Sequence, residues 1–84
     1  MKDVTIYSSS VCAYCLRAKH LLAQRGIAPK EINVDADAAM RVQMMERTGR
    51  RTVPQIFIGE HHVGGFDDLA ALERSGQLEG LLAA

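Results

Sequence analysis

Val4-Thr5-Ile6-Tyr7-Ser8-Ser9-Ser10-Val11-Cys12-Ala13-Tyr14-Cys15-Leu16-Arg17-Ala18 is the stretch on which the reading of the fold turns. Val4 to Tyr7 is apolar and rich in β-formers, and Ser8, Ser9 and Ser10 end it, so it reads as a buried strand running into a loop. From Ala13 to Gln24 the apolar positions Cys15, Ala18, Leu21 and Leu22 recur at helical spacing, with Gly26 as a stop. The pair Cys12 and Cys15 therefore lies where a buried strand gives way to a helix.

Working outward, Pro29 ends the connection and Lys30 to Val34 reads as a second short strand. Asp35 or Asp37 can cap a second helix, which carries Met40, Met44 and Thr48 on one face and stops at Gly49. Pro54 to Ile58 reads as a strand with Ile56 and Ile58 on one face and Phe57 on the other. Gly59-Glu60-His61 makes a turn, and His62-Val63 completes a hairpin closed by Gly64-Gly65. Asp67 or Asp68 starts a last helix with Leu69 and Leu72 inward; Gly76 breaks it, and Leu78, Leu81 and Leu82 dock a final turn. The order β-α-β-α-β-β-α predicts an α/β fold. Its first βαβ unit is parallel and right-handed, and the hairpin extends it to a four-stranded mixed sheet of order 2-1-3-4 with three main helices on both faces. Tyr7 and the four methionines are expected in the core.

Composition sets the limits. Eighty-four residues suit one small domain spanning the chain, residues 1–84, with an expected radius of gyration of ~12 Å. Apolar residues make up 48% and charged ones 24%, as in ordinary globular proteins. No apolar run approaches the ~18 residues of a spanning helix, and no charged leader followed by an apolar stretch precedes Val4, so a cytoplasmic protein without membrane association is expected. Ten basic residues balance ten acidic ones, which argues against general nucleic-acid binding. The charge is blocked along the chain: +4 over residues 1–30, −3 over 31–40, +3 over 41–51 and −4 over 52–84. Solvated faces account for such blocks; a bipolar surface around a small charged ligand is the sharper reading.

Two cysteines are too few for a disulfide scaffold, and a bridge between neighbours three apart closes too small a loop to stabilise much. The pair is there for chemistry. A thiol at a helix N-terminus faces unpaired N–H groups and the positive end of the dipole, which favour the nucleophilic thiolate. Cys12 stands at the exposed loop edge and Cys15 one turn further in, on the apolar face, which makes Cys12 the attacker and Cys15 the resolving thiol. Half of a zinc site is the competing reading; only His20, His61 and His62 could complete it, from unrelated places.

Three motifs in this order carry a resemblance that covers essentially the whole chain: Cys12-Ala13-Tyr14-Cys15, Thr52-Val53-Pro54 and Gly64-Gly65-Phe66-Asp67-Asp68. Together they resemble the dithiol glutaredoxins, small members of the thioredoxin superfamily, and imply a thioredoxin-like fold. The Trp-Cys-Gly-Pro-Cys pattern of thioredoxins is absent, and the chain has no tryptophan. The resemblance implies a cis Pro54, with the Val53 main chain beside the thiols offering one rung of β-pairing to the cysteinyl unit of glutathione. Read without it, Pro54 is an edge-strand start. It implies that the Phe66 and Asp67 amides, reached through Gly65, bind the γ-glutamyl carboxylate, that Asp67 pairs with the α-ammonium, and that Tyr14 covers the ligand sulfur beside Thr52 and Val53. Asp67 or Asp68 can also be a helix cap, and both roles can coexist. Arg41 is the candidate cation for the glycine carboxylate, against a plain solvated arginine.

The chain departs from many relatives in Ala13 for proline, Ser9 for lysine and Phe66 for a small or polar residue. The implied activity is glutathione-dependent thiol–disulfide exchange on protein–glutathione mixed disulfides and protein disulfides, by a monomer using glutathione as co-substrate and no required cofactor. Two alternatives stand beside it. One is a dimer carrying a labile iron–sulfur cluster through Cys12 and glutathione, which Ala13 would permit. The other is a dedicated hydrogen donor to an enzyme such as ribonucleotide reductase.

Overall fold

The computed structural model describes residues 2–83, in the order β1 (Val4–Ser8), α1 (Ala13–Gln24), β2 (Lys30–Asn33), α2 (Ala38–Thr48), β3 (Gln55–Ile58), β4 (His61–Gly64), α3 (Phe66–Ser75) and α4 (Leu78–Leu82). The four strands form one sheet in the order β2-β1-β3-β4. β1 runs parallel to β2 and antiparallel to β3, which pairs antiparallel with β4. This is the expected mixed sheet, and the radius of gyration is 11.9 Å.

Side-chain alternation along the central strands divides the core between the two faces. Val4, Ile6, Ile56 and Ile58 join Ala18 and Leu22 of α1, Leu69 of α3 and Leu78 and Leu82 of α4. On the opposite face Tyr7 and Phe57 meet Val34 and Met44 of α2. The buried Tyr7 hydroxyl donates to Gln43 Oε1 at 2.7 Å and accepts from Arg47 Nη1 at 2.8 Å, so its polar end is satisfied. Of the methionines, Met44 is fully buried, Met45 packs against this second cluster and Met40 is half-buried; Met1 lies outside the described residues.

Element ends differ from the sequence reading for local reasons. Asp37, not Asp35, caps α2, accepting from Ala39 N at 2.9 Å. β3 begins at Gln55 because Pro54 has no N–H for the ladder. His61 belongs to β4, not the turn, since it pairs with Ile58. α3 starts at Phe66 with Gly65 as its N-cap, and Asp68, inside the first turn, accepts from Gly65 N at 2.9 Å.

A bulge connects the sheet to that helix. Phe57 pairs with His62 but Ile56 pairs with Gly64, so Val63 is the extra residue. Gly64 then turns the chain at φ +117°, and a Cβ there would overlap the Asp68 carboxylate. A Gly64→Ala variant must bear the backbone strain and displace Asp68 from Gly65. It is expected to lose about 1–3 kcal/mol, read as a lower urea midpoint at unchanged m-value.

Candidate active site

Cys12 is the N-cap of α1, with extended backbone at φ −153° and ψ 106°. Its sulfur takes the place of the usual capping oxygen and accepts from Cys15 N at 3.1 Å. Any negative charge on that sulfur therefore meets a backbone donor at the positive end of a helix. Cys12 is partly exposed, and its Sγ lies 3.8 Å from Val53 O.

Cys15, one helical turn on, is 1% exposed. Burial pushes its thiol up to about 12, helped by the hydrogen bond and the negative charge at Cys12. The Ser9 main chain opposes this less than burial and the Cys12 hydrogen bond favour it, and Lys19 opposes it least. Both cysteines are free thiols. The two sulfurs thus differ as the sequence reading expected, one accessible and hydrogen-bonded by a backbone amide, the other buried and protonated.

Beside Cys12 opens a cleft of about 230 Å³ lined by Tyr14, Arg50, Thr52, Val53, Pro54, Gln55, Gly65, Phe66, Asp67 and Asp68. Three separate segments build it: the start of α1, the loop into β3 and the start of α3. The Val53–Pro54 peptide bond is cis. Tyr14 is 55% exposed; its ring lies 6.0 Å from that of Phe66, and the Arg17 guanidinium sits 5.3 Å from its centroid. At the α3 end, the Phe66 and Asp67 N–H groups have no intrahelical partner by their position in the first turn. Asp67 is exposed there, whereas Asp68 is committed to Gly65 N and to Arg50 Nη1 at 3.3 Å. These contacts, the Gly65 amide first, hold the Asp68 carboxyl below its usual range.

Of the residues singled out from sequence, Tyr14, Thr52, Val53, Pro54, Gly65, Phe66 and Asp67 line this cleft next to Cys12. Arg41 is not part of its wall. Its guanidinium donates to Arg51 O at 3.2 Å and pairs with Asp35 Oδ1 at 3.3 Å. Asp35 Oδ2 in turn accepts from Ser10 N at 3.1 Å, so Arg41 ties the loop before Cys12 to the loop before Thr52. Sequence reasoning missed Arg50 and Gln55, both in the wall. Their nearness to Thr52-Val53-Pro54 was the available signal, but side-chain direction at a loop is not written in periodicity. The zinc reading finds no support in placement: among the described residues no three His, Cys, Asp or Glu side chains are grouped as a metal site.

With this geometry in place, comparison with known proteins is specific. Residues 4–63 match the family model described as Glutaredoxin. The chain is 50% identical to a glutaredoxin of Pseudomonas aeruginosa over 84 residues, all of both chains. It is 50% identical to glutaredoxin 3 of Escherichia coli over 82 residues, 98% of this chain and 99% of that one. Among solved structures it is similar to the solution structure of a glutaredoxin from Brucella melitensis (TM-score 0.86, 55% identity, 98% of this chain and 89% of that one). It is also similar to a buckwheat glutaredoxin–glutathione complex (TM-score 0.88, 34% identity, 96% and 76%).

The Asp68 contacts carry a pH signature. A carboxyl lowered on folding stabilises the native state above its unfolded value, ~3.9, and that stabilisation is lost as pH falls through the lowered value. Asp68→Asn should therefore show a lower urea midpoint than wild type at pH 7, and the gap should narrow as the pH drops to 3.

Proposed function

The chain belongs to the glutaredoxin family and is a glutathione-dependent thiol–disulfide oxidoreductase, and on that premise we propose how its own residues perform the exchange. The observation that carries the proposal is the contrast between Cys12, accessible and hydrogen-bonded by Cys15 N, and Cys15, buried and protonated. The Cys12 thiolate attacks the glutathione sulfur of a glutathionylated protein. A Cys12–glutathione disulfide forms, and the protein thiolate leaves and takes a proton from solvent. A second glutathione thiolate then attacks the bound glutathione sulfur, releasing glutathione disulfide and restoring the Cys12 thiolate. With a protein disulfide, Cys12 attacks one protein sulfur and forms the mixed disulfide with it as the protein S–S bond breaks and the first protein thiolate leaves. Cys15 gives up its proton as it attacks Cys12, expelling the second protein thiolate and leaving a Cys12–Cys15 disulfide that two glutathiones reduce.

The cleft suits glutathione as an extended peptide. Its cysteinyl unit lies against the Thr52, Val53 and Pro54 main chain, its γ-glutamyl carboxylate takes the Phe66 and Asp67 amides through Gly65, and Asp67, whose exposed carboxylate has no committed partner among the described residues, takes the α-ammonium. Tyr14 and Phe66 close over the apolar part. Arg50 is held by Asp68 at the γ-glutamyl end. Arg41, bridging the loops at the other end, receives the glycine carboxylate by exchanging it for Asp35. The partners proposed are glutathione and disulfide-bearing or glutathionylated proteins, met by a cytoplasmic monomer; among the described residues no helix is long and apolar enough to cross a membrane. One chain brings together no set of three metal-binding side chains among those residues, so an iron–sulfur cluster would need ligands from two copies and from glutathione, and the thiol cycle requires none.

Cys12→Ser is expected to abolish all transfer. Cys15→Ser should keep reduction of glutathione mixed disulfides and lose reduction of protein disulfides, measured in steady state on both substrate types; full activity of the Cys12 variant would overturn the assignment. Asp67→Ala should raise the KM for glutathione about tenfold with a smaller change in kcat, because a charge-assisted bond is worth roughly 1.5–3 kcal/mol and this exposed one belongs at the low end. An unchanged KM would leave Asp67 as a surface residue.

A further inference from the structure

Apart from Ser8, Gln55 is the buried polar side chain of the described residues, 1% exposed at the first position of β3. It is not a bystander of the core. Its Nε2 donates to Thr52 O at 3.0 Å and lies 3.3 Å from Thr52 Oγ1, and its Oε1 lies 2.8 Å from His62 Nε2. A main-chain carbonyl only accepts, so the Gln55 amide nitrogen faces Thr52 and its oxygen faces His62. That oxygen only accepts as well, so His62 carries its proton on Nε2. The hairpin register, which pairs Ile58 with His61 and Phe57 with His62, sets His62 opposite Phe57, on the same sheet face as Gln55, with the imidazole stacked on the Phe57 ring at 5.0 Å. The Arg47 guanidinium sits 3.9 Å from the centroid of that ring.

The consequence lies one peptide bond away. Thr52 C=O and Val53 N–H belong to one planar unit, and Val53–Pro54 is the cis bond of the described chain, so this unit is trans and its C=O and N–H point in opposite directions. A buried amide that holds Thr52 O inward therefore aims Val53 N–H away from the core, on the side where Val53 lines the cleft. We propose that Gln55, oriented by His62, is a positioning residue that sets the Thr52–Val53 peptide plane and so presents the Val53 main chain to the cysteinyl unit of the substrate. This rests on the reading that glutathione pairs with Val53. It assigns to a glutamine buried in the cleft wall and to a strand histidine a share of glutathione affinity, exerted through the Thr52–Val53 peptide.

Gln55→Glu tests it at nearly constant shape. A carboxylate cannot donate to Thr52 O, whereas a protonated carboxyl can. The charged and titratable groups around the relay are Arg47, Arg50, His61 and Asp68, and wild type measured at each pH accounts for them. The expected result for a glutathionylated peptide is a KM about tenfold above wild type at pH 8, with kcat within about twofold, and an excess that shrinks as pH falls to 5. Gln55→Leu should show a raised KM with no recovery in acid. His62→Phe keeps the ring on Phe57 and removes the donor, and should raise KM severalfold; it decides the matter if Gln55→Leu does not fold. The Val53 amide resonance of each variant, recorded without substrate, should shift from its wild-type position. A wild-type KM in Gln55→Glu at pH 8, or a raised KM with the Val53 resonance unmoved, overturns the proposal. A wild type that does not turn over the peptide would instead overturn the glutathione reading, and the resonance would still judge the relay.

Discussion

The 3.1 Å hydrogen bond from Cys15 N to Cys12 Sγ joins the chemistry to the architecture. A helix start needs an acceptor for its free amides, and oxygen side chains usually provide it. Here the Cys12 sulfur does so, and α1 has no acidic residue in its first turn to compete for the role. The same contact thus begins the helix and faces that sulfur with a backbone donor. It also fixes where Cys15 must be, since the donor is its own backbone, and from there the Cys15 side chain has only the core to enter.

That arrangement holds because the central strands anchor both ends of the cleft. β1 is buried on both faces and delivers the loop of residues 9–12 to the top of α1. β3, its antiparallel neighbour, starts at the same end of the sheet, Tyr7 lying opposite Gln55, and this brings the Thr52–Pro54 loop within reach of Cys12. β4 leaves at that end too and turns through Gly64 into α3. Three loops from different parts of the chain converge because strand register places their ends together. Arg41 with Asp35, and Arg50 with Asp68, then pin neighbouring loops to one another.

Much of this was legible in the amino-acid order. Val4 to Tyr7, the helical spacing behind Cys15 and the hairpin around Gly59 state their periods plainly, and the placement of Cys12 at the exposed edge and of Cys15 in the core follows from the strand-to-helix junction. The less legible parts depend on tertiary direction. Asp67 and Asp68 are chemically identical neighbours, and only the turn at Gly64 decides that Asp68 reaches back to Gly65 while Asp67 faces outward. Gln55 follows a proline in a run that otherwise reads as apolar strand, and its partner His62 comes from the neighbouring hairpin strand, a pairing between two polar side chains that no periodicity reveals. Arg41 and Arg50 differ in placement through the carboxylate each finds, which depends on packing between segments apart in sequence.

The burial of Cys15 also has a kinetic meaning. Two of the influences that keep its proton on are the hydrogen bond and the charge at Cys12, and both vanish once that sulfur is tied up in a disulfide; burial, the largest, stays. In the exchange proposed above, the second thiol would therefore be released only partway by the event it must answer. The covalent intermediate would gain a lifetime, its fate a competition between an internal reaction held back by a dry environment and an encounter with free glutathione from solution. How tightly α1 packs its apolar face against the sheet would then act as a timer, dividing the flow of electrons between a route that uses one sulfur and a route that uses two.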